Sequence, residues 1–389
     1  MNKLNILMFG SSHGLGLLYY LTLYSIGLRQ LGHTVTVISS HGEQSPGLLT
    51  DLEAHNIKYI ESATVDKRAI IPIYTAAREI ATILKSINID VIHVNGLLQM
   101  IKAGLALRLA GRVGQIPIIF MVHSIRHGSK YEKWFCWLGS IFMNKYADLV
   151  APVSEWERSR LIKGGLKADK AFTIHNAVDF NEFDRLLGEE VNYDQLGLNN
   201  NMFSDKTVVT LSQLIPRKGI HYLLNAVPKV LKVFPETKFL ILGSGPLKDE
   251  LINTSISLGL QENVHFPGNI DNMHIPKILS KASISVVPSL SETFGFAIIE
   301  PMAAGKPVIS TAVGVAPEII ITGKNGYVVP PGNSDTLADA ILFLLNNKEK
   351  AEEMGINARE TVRNTFGLER ISQNLEGAYR MAIKKLCNT

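Results

Sequence analysis

Short apolar runs rich in β-branched residues alternate with longer stretches of helical character along the chain, and this alternation constrains the fold more than any other feature. In the first half the runs are residues 4–9, 34–39, 91–94, 116–122 and 149–153; in the second they are 207–211, 238–242, 263–266, 283–287 and 307–310. They are apolar nearly throughout rather than at alternate positions, which is how strands read when helices cover both faces of a parallel sheet. Between the first two runs the period changes. Leu17, Leu21, Tyr24, Leu28 and Leu31 share one face of a helix that Gly32 ends. The pattern occurs twice, so the expected fold class is α/β, with two doubly wound Rossmann-like domains. A chain of 389 residues is long for one hydrophobic core and suits two. The expected division is 1–180, a surface linker at 181–206 with one short helix, 207–365, and a helix at 366–389 packing back on the first domain. Ligands of open parallel sheets bind at the carboxyl ends of the strands, so a site is expected in a cleft between two facing sheets.

Three motifs sit at such strand ends. Gly10-Ser-Ser-His-Gly14-Leu-Gly16 follows the first strand and precedes a helix. Glycines there let backbone approach a phosphate at a helix N-terminus; a plain strand-to-helix turn is the alternative. Gly243-Ser-Gly245-Pro246 is half of a dinucleotide fingerprint, but the next strand carries no acid at its end, so a tight turn is expected rather than NAD binding. The most informative segment is 288–311. There a strand ends at Pro288, and Glu292 and Gly295 lie in a polar turn. A helix then runs from about Phe296 to Ala304, Gly305 closes it, and Pro307 enters the next strand. Glu292 and Glu300 are eight residues apart, and a carboxylate can accept two hydroxyl hydrogen bonds at once, as a sugar or ribose diol requires.

This segment resembles the signature of the large retaining glycosyltransferase family 4, which has the two-Rossmann GT-B fold. The likeness continues in Pro216-Arg217-Lys218-Gly219, in Asn176-Ala-Val-Asp179 with Phe183, in Gly243-Ser-Gly-Pro-Leu247, in Val264-His-Phe-Pro-Gly268 and in Gly323-Lys-Asn-Gly326-Tyr-Val-Val-Pro330. It is close over about 170–345 and looser before that, where it rests on Gly14 and Gly16, on Gly32-His33 and on Val122-His123. It implies that Glu300 holds the ribose diol of a nucleotide sugar. Glu292, Thr293 and the backbone of Phe294 and Gly295 would hold the donor sugar, Lys218 the diphosphate, and His123 would lie near the sugar. Gly14, Gly16, Gln213 and Gly243 complete the expected donor site. The chain departs from the family at Ser212-Gln213-Leu214, where Gly-Arg-Leu is common; glutamine donates hydrogen bonds but brings no charge. Arg217 is read as a solvated turn residue, and His13, His93 and His175 are given no role.

No Asp-x-Asp pair is present for holding a cation on a diphosphate. No metal and no cofactor are expected beyond the donor itself, a UDP-sugar in preference to a GDP-sugar. The expected partners are a nucleotide sugar and a glycan or lipid-linked acceptor, not nucleic acid. Charge bears on the acceptor side: residues 1–185 hold 20 Lys and Arg against 15 Asp and Glu, the remainder 19 against 20. Tyr131, Trp134, Phe135, Trp137 and Phe142 cluster among Arg126, Lys130, Lys133 and Lys145. Such a stretch reads either as a helix buried in the first domain or as an amphipathic surface meeting lipid. Two distant cysteines, Cys136 and Cys387, and an N-terminus unlike a signal peptide fit a cytoplasmic protein, soluble or peripheral on the inner face of a membrane. The expected activity is a retaining, metal-independent glycosyl transfer in cell-surface polysaccharide or glycolipid synthesis. An epimerase or hydrolase of the same fold, an NAD-dependent oxidoreductase and a non-catalytic partner are the alternatives.

Overall fold

Both sets of apolar runs form parallel sheets in a computed structural model that describes residues 2–10, 15–39, 47–62, 70–123 and 132–387. The first sheet contains β1 (Asn5–Gly10), β2 (Thr34–Ser39), β3 (Lys58–Glu61), β4 (Val91–Asn95), β5 (Ile118–Val122) and β6 (Leu149–Pro152). The second contains β7 (Thr207–Leu211), β8 (Lys238–Leu242), β9 (Val264–Gly268), β10 (Ile284–Val287), β11 (Val308–Thr311) and β12 (Gly326–Val329). Their orders are β3-β2-β1-β4-β5-β6 and β12-β11-β10-β7-β8-β9. Each is an open doubly wound sheet, whose order reverses at β1/β4 in one case and at β7/β10 in the other.

The central strands show why they are legible in the sequence. Every residue of β4, β5 and β10 is buried, so each position selects for apolar or internally satisfied side chains. β3, at a sheet edge, is only partly buried, and its Lys58 and Glu61 leave it without an apolar run; β12, at the edge of the second sheet, is the strand of the 323–330 segment named above. Helices supply the remaining layers. Leu223, Leu224, Val227 and Val230 of the helix Ile220–Leu231 join Ile341 and Leu344 of the helix Ser334–Asn346 over the second sheet.

Contacts divide the chain into unit 1, residues 1–177 with 366–389, and unit 2, residues 178–365. The helix Leu368–Cys387 packs on the first helix, Leu15–Gln30, within unit 1. A Cβ on Gly27 would stand 2.9 Å from Leu368 Cδ1, so the two helices are in close contact there. One expectation needs correction. Residues 181–206 are not a surface linker. They include the helix Phe180–Gly188, whose N-cap Asp179 accepts from two backbone N–H groups. They also bring Leu198, fully buried, and Tyr193, Leu196, Met202 and Phe203 against Val209 and Leu240 of unit 2. The polar residues between these apolar anchors conceal the packing in the sequence.

Helix Phe296–Ala303 is set by its exit turn. The Gly305 carbonyl presses on Gly355 of the helix Lys348–Phe366, where a Cβ would stand 2.1 Å from that oxygen. Alanine ordinarily stabilises a helix interior by about 1 kcal/mol over glycine. Overpacking against backbone costs about 1–3 kcal/mol and should win here. Gly355→Ala is therefore expected to lower the melting temperature by several degrees in calorimetry. A value at or above the parent's would contradict so close an approach.

Candidate functional site

In unit 2 the loop leaving β7 folds back against the loop leaving β10. Pro216–Lys218 form a 3-10 turn, and Gly219 follows at φ +64. A Cβ on Gly219 would stand 2.2 Å from the Pro288 carbonyl oxygen, so only glycine permits this contact. The Leu290 N–H donates to the Arg217 carbonyl at 2.7 Å, which joins the two loops by backbone. Their side chains then converge on Glu292. Lys218 Nζ lies 2.5 Å from Glu292 Oε1, and the Ser289 hydroxyl donates to the same oxygen at 2.8 Å. Arg217 Nη1 lies 3.4 Å from Glu292 Oε2 and donates to the Ser291 carbonyl at 3.1 Å. Glu292 is only 5% exposed. A carboxylate so far from water requires charged and hydrogen-bonding partners, and it has both. Arg217 is thus not the solvated turn residue the sequence suggested; its guanidinium is held on the Glu292 loop.

After Glu292 the loop passes Thr293 and buried Phe294, whose ring meets Phe296 with centroids 4.9 Å apart. Phe294's carbonyl accepts from the Val315 N–H at 2.9 Å. Gly295, at φ +106, begins the helix Phe296–Ala303, and no side chain caps that N-terminus. Glu300 lies on this helix and differs sharply from Glu292. It is half-buried, and among the described residues its carboxylate has no hydrogen-bond or ion-pair partner. Desolvation alone pushes its carboxyl up to about 7.

Gly243, at φ +135, would place a Cβ 1.9 Å from the Ser212 carbonyl oxygen. Its role in this structure is to let the loop after β8 meet the loop after β7, where the Leu214 N–H donates to the Ser244 carbonyl at 2.9 Å. Gln213 stands at this junction with its side chain exposed. In unit 1, Gly14 lies outside the described residues, and Gly16 is in the first helix. His123 follows β5. Its Nε2 is 3.2 Å from Asn95 Oδ1, and its ring stacks on Tyr20 at 5.5 Å. Burial, then neighbouring His93, lower its pKa to about 3 against a hydrogen bond with Asn176, so it is neutral. The sequence reading missed Arg217, Ser289 and Asn95; only their places at the carboxyl ends of central strands could have singled them out.

Of the aromatic and basic stretch, Arg126, Lys130 and Tyr131 lie outside the described residues. The rest forms the helix Glu132–Tyr146, with Cys136 and Met143 buried but Trp134 and Trp137 each 53% exposed. The helix is thus buried on one face and exposed on the other. Among the described residues no group of three acidic, His or Cys side chains is placed to hold a metal ion, and no helix is long and apolar enough to cross a membrane.

Comparison with known proteins divides the chain in the same way. Residues 16–182 match the family model described as Glycosyltransferase Family 4, and residues 199–361 match that of Glycosyl transferases group 1. An uncharacterized glycosyltransferase of Methanocaldococcus jannaschii is 31% identical over 56% of this chain and 56% of that protein. A phosphatidyl-myo-inositol mannosyltransferase of Mycobacterium leprae is 35% identical over 41% of this chain and 42% of its own. The chain thus spans about half the length of these curated relatives. Among solved structures, Anabaena HepE in complex with UDP and glucose superposes with a TM-score of 0.77, covering 97% of this chain and 100% of that one. At 23% identity this likeness establishes the fold, GT-B.

Glu300 makes a prediction of its own. Its carboxyl titrates at about 7 in the folded chain against 4.5 for the free group. Between those values the native state keeps a proton that the unfolded state has released, so stability falls as pH rises through this window and then levels off. Glu300→Gln removes the burden. It should match the parent near pH 4 and exceed it above pH 7 by about 1–3 kcal/mol in denaturant titrations. Equal stability at both pH values would mean that the carboxyl is solvated.

Proposed function

The chain belongs to glycosyltransferase family 4, and on that premise we propose that it moves a sugar from a nucleotide-activated donor to a hydroxyl of a glycan or lipid-linked acceptor, with retention at the anomeric carbon. The carrying observation is the contrast within one loop and helix of unit 2: Glu292 fully paired, Glu300 desolvated and unpartnered. A ribose diol would supply the two hydroxyl donors that Glu300 lacks, which favours its ionised form. Lys218 and Arg217 bring the positive charge that a diphosphate needs, and Arg217 offsets the neutral Gln213. Glu292, Thr293 and the backbone of Phe294 and Gly295 face the donor sugar in this reading, and His123 is the substrate-binding group proposed for unit 1. UDP is the proposed nucleotide, supported by the UDP bound in HepE.

In the proposed reaction the acceptor oxygen bonds to the anomeric carbon on the face from which the diphosphate leaves. The bond between that carbon and the phosphate oxygen breaks, and the acceptor proton passes to the departing diphosphate. The leaving group gains charge as it departs, so preorganised cations stabilise the transition state more than the ground state. With Lys218 and Arg217 in that role, no metal ion is invoked.

Calorimetry with UDP and GDP tests the site. Hydrogen bonds to a charged group are worth about 1.5–3 kcal/mol, so Glu300→Gln should weaken nucleotide binding about tenfold or more. Lys218→Ala should lose much of the turnover, and turnover of the parent should persist in EDTA. Parent-like binding by both variants would sink the assignment, and activity restored only by Mg²⁺ or Mn²⁺ would end the metal-independent reading.

The proposed location is peripheral, on the inner face of a membrane. Trp134, Trp137 and Ile141 lie three and four residues apart on one exposed helix face, flanked by exposed Lys133 and Lys145. Between residues 124 and 146 the sequence holds Arg126, Lys130, Lys133 and Lys145 against Glu132 alone. Amphipathic indoles settle at the headgroup level and lysines favour anionic lipid. The parent should co-sediment with vesicles containing phosphatidylglycerol, and the double variant Trp134→Ser with Trp137→Ser should not, with UDP binding unchanged in both. Failure of the parent to bind, or equal binding by the variant, would dismiss the contact.

A further inference from the structure

Glu292 in this arrangement cannot touch a sugar, because it is covered on all the sides that matter and only 5% exposed. Its Oε1 accepts from the Ser289 hydroxyl at 2.8 Å and from Lys218 Nζ at 2.5 Å, which fills both lone pairs of that oxygen. Arg217 Nη1 stands 3.4 Å from Oε2. At the stem the backbone of Gly314 closes in, where a Cβ would stand 2.9 Å from that of Glu292. A ligand hydroxyl reaches the carboxylate only when one of these groups withdraws.

Three of the four are tied in place. Ser289 is buried, and its carbonyl accepts from the Thr311 hydroxyl at the end of β11. Arg217 is held twice, by its carbonyl to the Leu290 N–H and by its guanidinium to the Ser291 carbonyl. The turn at Gly314 is fixed through the Val315 N–H, which donates to the Phe294 carbonyl. Lys218 differs. Among the described residues its ammonium has no partner besides Glu292. It ends a flexible four-carbon stem, while its own N–H keeps the backbone in the turn by donating to the Ile215 carbonyl at 3.0 Å. The side chain can swing away without breaking any backbone contact between the loops.

We infer that Lys218 is a latch on Glu292, opened by the diphosphate of the donor. The inference rests on the roles proposed above for these two residues and adds that in the free chain each one blocks the other. Opening separates a buried ion pair, which is costly unless both partners are met. A free sugar offers hydroxyls to Glu292 but leaves the ammonium unpaired. A nucleoside diphosphate offers oxygens to Lys218 but leaves Glu292 short of a donor. A sugar joined to a diphosphate satisfies both, so the pair selects that substrate class. The anion has to draw off the lysine before a sugar hydroxyl reaches Oε1.

Calorimetry with UDP on Glu292→Gln, Lys218→Met and the double variant reads the latch. Glutamine keeps the shape and still accepts from Ser289, but it gives up the ion pair, so Lys218 is released in advance. Glu292→Gln should therefore tighten UDP about tenfold in the parent background, and no more than about twofold in the Lys218→Met background. An equal gain in both backgrounds would mean simple repulsion between carboxylate and diphosphate. Weaker binding by Glu292→Gln would mean that Glu292 does no more than shape its loop. Either result overturns the latch and leaves the diphosphate assignment standing. Unchanged UDP binding by Lys218→Met would strike that assignment and the latch with it. NMR of the parent keeps the question open to decision if Glu292→Gln does not fold. Saturating UDP should give the Lys218 ammonium nitrogen a coupling to phosphorus-31 and shift the carboxyl carbon of Glu292. A coupled lysine beside an unmoved Glu292 carboxyl carbon would show that Lys218 serves both groups at once, which ends the latch.

Discussion

A carboxylate taken out of water costs several kcal/mol unless charged partners surround it, and the loops of unit 2 are arranged around one such group. Glu292 draws Lys218 and Arg217 from the loop after β7 and Ser289 from the loop after β10. Thr311, at the end of β11, braces this set by donating to the Ser289 carbonyl at 2.5 Å. Three strand ends are thereby tied to one side chain. The glycine at 219 follows from that demand, because loops drawn so close leave no room for a Cβ between them. On the proposed reading, an arriving diphosphate competes with Glu292 for a lysine that is already oriented. The reorganisation on binding is then an exchange of partners rather than a search for one.

The two units apply one architectural rule with different chemistry. Each sheet reverses its strand order once, at β1/β4 and at β7/β10, and the chemistry collects at the carboxyl ends of the strands there. In unit 2 these ends carry Lys218, Arg217 and Glu292. Among the described residues of unit 1 they carry neutral groups, Asn95 and His123, with His93 and Tyr379 behind them. Burial keeps both histidines uncharged. Neutral rings in fixed orientation suit recognition of hydroxyl groups; fixed charges suit a phosphate.

Much of this was legible because burial on both faces leaves a strong mark. Residues 34–39, 207–211 and 238–242 were read as strands with the bounds the structure gives. The helix after Gly295 was likewise expected within a residue of its observed end. What escaped notice did so for physical reasons. β3 lies at an edge, where one side of the strand meets solvent and the apolar signal fades. Residues 181–206 look like a linker because their few apolar anchors are scattered among Asn, Asp and Gly, yet Leu198 is fully buried. Arg217 looked solvated because nothing local shows that Ser291 and Glu292, more than seventy residues on, will be its partners. His93 is silent in the sequence for the same reason. Its hydrogen-bonding hydroxyl comes from Tyr379, 286 residues away, and no period or spacing carries that information.

The two glutamates of the signature segment make the last point. They share a residue type, a loop-and-helix element and an eight-residue spacing, so sequence alone gives them equal claims on a ligand. The structure separates them. Glu292 spends its hydrogen-bonding capacity inside the protein, and removing it would leave Lys218 without its partner and loosen the loops. Glu300 is desolvated without compensation, and a carboxyl titrating near 7 records that cost. A folded chain has no structural reason to keep such a group on a buried helix, since a neutral side chain of similar size would be more stable there. Unsatisfied carboxylates persist where a ligand completes them. The more strained member of the pair is therefore the one whose presence argues for binding, and the better-satisfied member is the one that holds the site in shape.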